Sequence, residues 1–433
     1  MIVMFLPEKK TVRLFAALCL FFVVPFIYTC VRTALLAAQP DTSGLGVAGH
    51  IEWFDLINET ILAFLTVPFY SLLNREADGL RFQRKLWDGF FLSFGIYAAF
   101  SVIIAVFAGN IAAGMGVASG QLAEVTVYLV LETIAFVCGY AASFAAIVFA
   151  VIGKPVYILG ITLIRTVLTV VSDVFLIPAM GVNGVAVSNI IVNLAIAAVC
   201  YVFLLHENLG LVTDFRRSRR FDPYWLGEYA KTGLFSGGQI LLDNLIYALI
   251  VCKMVNEVAE QGNYWTANNF IWGLLLVPSM AVSELIRRDS KADNKILQYM
   301  TAAACTAGVW IISMPLWRPF LHYGMGLADP EPILNIIITL MPFYVCHLVS
   351  QTFANVFIAL GMTWRNFVVS VVINIIYYGA VYAAYLQGAF EPGIQFICLM
   401  FGFGMMANLL ITGALYFQYN LKKYHELMRF AQP

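Results

Sequence analysis

Charge is scarce in this 433-residue chain: Asp, Glu, Lys and Arg make up 12% of it, against about a quarter in an ordinary soluble domain. Polar segments long enough to build a soluble domain are missing too. The 25 basic residues balance the 25 acidic ones, so there is no basic footprint and no nucleic-acid partner is expected. The phosphate-cradling G-x-x-x-x-G-K-[ST] loop does not occur, which excludes a built-in ATPase. Neither H-E-x-x-H nor G-x-S-x-G is present, and the five histidines fall at no metal-ligand spacing. No enzyme chemistry and no resident cofactor are therefore expected. The eight cysteines, none in a C-x-x-C pair, all lie in apolar runs and read as small buried apolar residues.

What the chain does have is hydrophobicity: 61% of residues are apolar and the mean hydropathy is +0.83. A helix needs about 20 largely apolar residues to cross a bilayer. Twelve such runs stand near 13–38, 48–73, 87–109, 122–152, 156–178, 184–205, 228–254, 263–286, 298–318, 332–360, 365–386 and 392–418. They predict an all-α, polytopic membrane protein of twelve transmembrane helices, with Pro25, Pro68, Pro278, Pro315 and Pro342 as kink points. The first apolar run, from Leu14 to about Ala38, outlasts the roughly 7–15 residues of a signal-peptide core and reads as an uncleaved span.

Lys and Arg alternate between loops. Lys9, Lys10 and Arg13 precede span one; Arg75, Arg81, Arg84 and Lys85 follow span two. Arg216, Arg217, Arg219 and Arg220 follow span six, Arg287, Arg288, Lys291 and Lys295 follow span eight, and Lys422, Lys423 and Arg429 form the tail. The loops at 39–47, 110–121, 179–183 and 387–391 contain neither residue. The positive-inside rule then places both termini in the cytoplasm, in a multi-pass protein of the plasma (inner) membrane.

The longest polar segment lies at the midpoint. It divides the chain into a lobe at 1–205, a cytoplasmic linker at 206–227 and a lobe at 228–433. A repeat supports the division. Leu65-Thr66-Val67-Pro68 matches Leu276-Val277-Pro278, and Val148-Phe149-Ala150-Val151-Ile152-Gly153 matches Val356-Phe357-Ile358-Ala359-Leu360-Gly361, at offsets of 210 and 208. Halves repeated in one orientation imply two six-helix lobes around a central cavity.

Ionisable residues inside spans are the candidates for function, because each costs roughly 2.5–3.5 kcal/mol to insert and needs a partner or water. Glu52, Asp55 and Glu59 share one face of span two. Three carboxylates there repel unless protonated, paired with a cation or facing a wet cavity. Arg32 on span one and Asp173 on span five fall at similar depth in the outer half. One reading joins them to the span-two carboxylates in a connected polar cluster, and the other is a purely structural ion pair of Arg32 with Glu52 or Asp55. Glu132 and Arg165 are expected to form a bridge nearer the midplane. Asp243, Asn244 and His347 are isolated polar groups in the second half; His347 reads equally as a hydrogen-bonded packing residue. Lys253 snorkels.

The stretch Gly153-Lys154-Pro155, followed by Asp173-Val174-Phe175-Leu176-Ile177-Pro178-Ala179-Met180-Gly181-Val182-Asn183-Gly184-Val185-Ala186, resembles the multidrug and toxic compound extrusion (MATE) family, whose signature there is D-x-x-L-I-P…G-V-x-G-x-A. Gly153 and Pro155 stop one helix and open the next, and Gly181 and Gly184 permit a tight turn. The resemblance implies a secondary active transporter that exports an organic substrate by alternating access, in exchange for H⁺ or Na⁺. It also raises Asp173, and Asp243 on span seven, as ion-coupling candidates. Glu59 joins Asp173 as the candidate site for the ion, with Asp55 and Glu52 beside it. Arg32, Arg165, Glu132, Asp243, Asn244 and His347 are candidates to line the substrate cavity.

One departure stands out: Val31-Arg32-Thr33 occupies the place of the family's V-D-T. The alternative is a flippase for an anionic lipid-linked headgroup, with Arg32 and Arg165 on its phosphates. A major-facilitator transporter ranks behind both, because the loop at Asp78–Lys85 lacks that superfamily's glycines. A non-transporting scaffold predicts fully paired charges. A monomer is expected.

Overall fold

The computed structural model describes residues 9–39, 43–74, 79–152, 154–211, 223–289, 292–360 and 362–430. Gly153, Gly361, Arg75, Lys291 and the arginines of the mid-chain loop (Arg216, Arg217, Arg219 and Arg220) lie outside the described residues. Among the described residues there are helices and turns and no strand. The first part of the chain gives α1 (Lys9–Ala37), α2 (Ser43–Gly49), α3 (Ile51–Thr66), α4 (Pro68–Asn74), α5 (Gly79–Gly114), α6 (Leu122–Val151), α7 (Pro155–Met180) and α8 (Val182–His206). Then come α9 (Pro223–Ile246), α10 (Lys253–Glu257), α11 (Gln261–Phe270), α12 (Val277–Arg288) and α13 (Ile296–Pro319). The chain ends with α14 (Glu331–Ala359), α15 (Thr363–Val371), α16 (Gly379–Leu386) and α17 (Ile394–Phe430).

Nine of the described helices are long and apolar enough to cross a membrane, and a tenth follows if α11 and α12, bent by 54° at their junction, make one span. Two of the expected twelve, spans two and seven, fall short for physical reasons. The first is divided at Val67, where Pro68 lacks the N–H that a continuous helix needs, leaving a 16-residue α3 before α4. Span seven carries Glu228, Lys231 and Asp243 in α9 and then loosens into a π-helical segment, Tyr247–Cys252, before α10. Of the other expected kinks, Pro278 lies in the first turn of α12, just past the 54° bend. Pro25, Pro315 and Pro342 lie within continuous helices. Many large apolar side chains stay exposed on the long helices, among them Val106, Phe175, Ile312 and Leu316. A soluble protein would bury them; hydrocarbon accommodates them, because the helices satisfy their own backbone groups.

The described chain divides into two compact units. One comprises residues 1–26, 266–324 and 328–433. Its core includes Val282, Ile286, Val356, Phe357 and Tyr416, with the Phe353 and Tyr416 rings stacked at 4.6 Å. Arg287 donates to Asn355 Oδ1 at 2.6 Å within it.

The other unit comprises residues 27–265 and 325–327 and holds two apolar cores. One is rich in aromatics: Phe69, Tyr97, Tyr140, Phe144, Phe149, Trp225 and Tyr229. The other surrounds Trp53, Phe54, Tyr128 and Val185. In this unit α9 runs against α3. Tyr229 donates to the Leu65 carbonyl at 2.7 Å. One turn further on, the absence of a side chain at Gly233 lets the helices approach: a Cβ there would stand 2.5 Å from the Phe64 carbonyl oxygen. At one end of the α7–α8 hairpin, Tyr157 and Lys154 converge on Glu207, at 2.7 and 3.3 Å. That hydroxyl, with the ammonium beside it, holds the Glu207 carboxyl below the usual carboxylate range.

Candidate functional site

The second unit gathers polar groups at two places. The first begins with Arg32 on α1. Its Nε donates to Asp173 Oδ2 at 2.9 Å and its Nη2 to Asp173 Oδ1 at 3.2 Å, a two-point guanidinium–carboxylate pair. The same Nη2 donates to Asn189 Oδ1 at 2.9 Å. Asn189 then turns its amide nitrogen to Glu132, at 2.9 Å to Oε1 and 3.1 Å to Oε2. Tyr128, one turn before Glu132 on α6, places its hydroxyl near that carboxyl. Four helices thus meet through one chain of bonds: α1, α7, α8 and α6. The two carboxyls are buried, Asp173 at 0% exposure and Glu132 at 1%, while Asn189 is half-buried and the Arg32 side chain 11% exposed.

Local sequence explains the convergence. Asp173 lies two turns before the end of α7, and Asn189 two turns into α8. Gly181, at φ +60° and ψ −140°, reverses the chain between them. The hairpin is so tight that a Cβ on Gly184 would stand 2.3 Å from the Leu176 carbonyl oxygen. The glycine turn and the aspartate of the D-x-x-L-I-P…G-V-x-G stretch are therefore one device, which sets the register of Asp173 against Asn189.

The second place is the face of α3. Glu52, Asp55 and Glu59 do share that face. Glu52 accepts from Tyr247 at 3.0 Å, and the Tyr247 hydroxyl also contacts that of Tyr264 at 3.1 Å. Asp55 accepts from Asn58 at 2.9 Å, and Asn58 in turn accepts from Tyr97 of α5. Glu59 accepts from Asn244 of α9 at 3.2 Å; that amide also contacts the Leu56 carbonyl and the Thr60 hydroxyl. Asp55 and Glu59 are exposed side chains. A charged group exposed at membrane depth faces water rather than lipid.

Several pairings differ from the sequence-based expectation. Arg32 is bound to Asp173 and Asn189, not to Glu52 or Asp55. Glu132 takes its bonds from Asn189 rather than from Arg165. Glu59 and Asp173, expected to share one ion, belong to separate hydrogen-bonded groups. Asn244 joins the α3 carboxylates; its neighbour Asp243 is half-buried and has a partner of its own. In the other unit His347 packs edge-on to the rings of Trp272 and Tyr344, each at 5.8 Å, and the Trp272 indole donates to the Tyr344 hydroxyl at 3.1 Å. Sequence reasoning missed Asn189, Tyr128, Tyr97, Tyr247 and Tyr264. The one available signal was an amide or hydroxyl inside an apolar run, which is a common occurrence. Among the described residues no group of three His, Cys, Asp or Glu side chains is placed to hold a metal ion.

No family model matches the sequence, and neither does any curated protein. Solved structures do match along nearly the whole chain. An inward-facing multidrug resistance MATE family transporter of the MOP superfamily superposes with a TM-score of 0.76 at 13% identity, covering 92% of this chain and 95% of that one. A MOP superfamily transporter from Pyrococcus furiosus, described as having a binding pocket of reverse polarity, gives 0.68 at 14% identity over 95% and 96%. The lipid II flippase MurJ, in an inward closed conformation, gives 0.68 at 14% identity over 92% and 86%. The chain has the MATE-like fold of the MOP superfamily of transporters.

Proposed function

We propose that the chain is a secondary active transporter that exports an organic cation in exchange for H⁺ or Na⁺ by alternating access. It is a monomeric, multi-pass protein of the plasma membrane with both termini in the cytoplasm, and it has neither catalytic activity nor a cofactor. The observation that carries this reading is which charges are available. Asp55 and Glu59 are exposed on α3, whereas Arg32 is withdrawn into a pair with Asp173. A binding pocket of reverse polarity is described for one structural neighbour, and Arg32 in place of an acid is a change of sign here too. This arginine, however, comes with a carboxylate that neutralises it. An anionic headgroup would have to compete for the guanidinium with three hydrogen bonds already made, which disfavours the flippase alternative.

In this mechanism the exposed carboxylates of α3 bind the substrate cation, and Asn244 orients Glu59. Exchange requires that ion and substrate prefer different access states, since equal affinity for both shifts nothing. In proteoliposomes, organic-cation efflux driven by a pH or Na⁺ gradient is expected to fall about 5–150-fold in Glu59→Gln, the usual range of a coupling factor. Asp55→Asn is expected to act in the same direction, and Arg165→Gln to have little effect. Flux of an anionic lipid-linked headgroup that depends on Arg165 and ignores Glu59 would reverse the assignment.

A further inference from the structure

The buried network on α1, α6, α7 and α8 does not balance in charge. It holds one guanidinium, Arg32, and two carboxyl groups, Asp173 and Glu132, with both carboxyls at 1% exposure or less. An uncompensated charge in such a place costs several kcal/mol. Asp173 is the partner that takes the guanidinium, through two nearly parallel N–H bonds. Glu132 receives an amide, from Asn189, and has the Tyr128 hydroxyl nearby. The charged groups around it from the packed helices are Arg32 of α1, Asp173 of α7 and Asp55 of α3. Of these only Arg32 is a cation, and it is engaged.

We propose that Glu132 is a proton-binding site of the transport cycle, and that Asn189 links its state of protonation to the Arg32–Asp173 pair. This rests on the ion-coupled reading above and places the exchanged proton on α6, away from the α3 carboxylates. The geometry supplies each part. A protonated Glu132 has one O–H to donate, and the Tyr128 oxygen beside it is an acceptor. The Asn189 amide is oriented by Arg32, whose Nη2 fixes Oδ1 and so turns Nδ2 to Glu132. Loss of the proton breaks the Glu132 O–H bond, leaves the electron pair on the carboxylate and passes H⁺ to water. The new anion then draws on Arg32 in competition with Asp173. With Glu132 at 1% exposure, the arrangement seen here is the loaded and closed state of the site.

The test uses the full-length protein in lipid nanodiscs and infrared difference spectra recorded across a pH series. The wild type is expected to show the carbonyl band of a protonated carboxyl at neutral pH, and Glu132→Gln to lose it. Glu59→Gln should retain the band. Asp173→Asn should also lose it, because Arg32 then neutralises an ionised Glu132 through Asn189. A band of wild-type size in Glu132→Gln would overturn the proposal. Should that variant fail to fold, a band persisting in Asp173→Asn would overturn it equally. Flux is read separately: stimulation of efflux by a pH gradient, on the scale of about 5–150-fold, disappears in Glu132→Gln. If wild-type flux ignores the pH gradient while the spectra behave as expected, the proton site stands and the coupling assignment fails.

Discussion

Replacing Arg32 with methionine is expected to lower stability by about 3–5 kcal/mol, the cost of removing one partner from a buried ion pair. The substitution strips both Asp173 oxygens of their donors, takes one from Asn189, and leaves two carboxyls in the network with no cation. Asp173→Asn should cost less, because Arg32 then has Glu132 within reach of the Asn189 bridge. The double variant Arg32→Met/Asp173→Leu should recover most of the loss, since apolar replacement of a complete buried pair is often neutral. The exposed pair Arg318–Glu331, at 2.7 Å but 66% and 48% exposed, provides the contrast. Arg318→Ala should change stability by about 0–1 kcal/mol, if at all. Thermal unfolding midpoints of the four variants in one detergent decide the order. If Arg32→Met shifted no further than Arg318→Ala, the network would be structurally idle.

This order differs from what the sequence alone suggests, and the reason is specific. Helical periodicity correctly puts Glu52, Asp55 and Glu59 on one face of α3, because i, i+3 and i+7 spacing is a property of one helix. It carries no information about which other helix lies opposite. Depth along the membrane groups Arg32 with Asp173 and with the acids of α3 alike, and it cannot choose Asp173 among them. Glu132 and Arg165 fail for the same reason: similar depth on α6 and α7 does not bring them together. The decisive group, Asn189, is uncharged, so a search restricted to ionisable residues passes over it. Local signals fared better. Pro68 does end α3, and the bend at α11–α12 does fall beside Pro278. Spans two and seven, both among the apolar runs of the sequence, are interrupted in the structure, and they carry Glu59 and Asn244.

Gly184→Ala is expected to be the most disruptive single-methyl change in the α7–α8 hairpin, costing about 3 kcal/mol, at the upper end for overpacking. The added carbon would stand 2.3 Å from the Leu176 carbonyl oxygen, 2.6 Å from its carbonyl carbon and 2.9 Å from Ile177 Cα. Those are backbone atoms, so no rotamer change relieves the clash, and the hairpin has to open. Gly181→Ala fails for a different reason: its Cβ meets nothing within 4 Å, but φ +60° with ψ −140° is a glycine conformation, so the cost is backbone strain of about 1–3 kcal/mol. Gly160→Ala, in the body of α7, meets only a ring carbon of Phe203 at 4.0 Å and should be neutral or stabilising by up to about 1 kcal/mol. Because the turn sets Asp173 against Asn189, opening it also lengthens the bonds from Arg32 to both. Gly184→Ala should therefore weaken the protonated-carboxyl band at neutral pH as well as lower the unfolding midpoint, whereas Gly160→Ala should leave the band intact. A Gly184→Ala protein with wild-type stability and a wild-type spectrum would mean that the turn and the buried network are independent, and that the register of the hairpin does not govern the charge balance at Glu132.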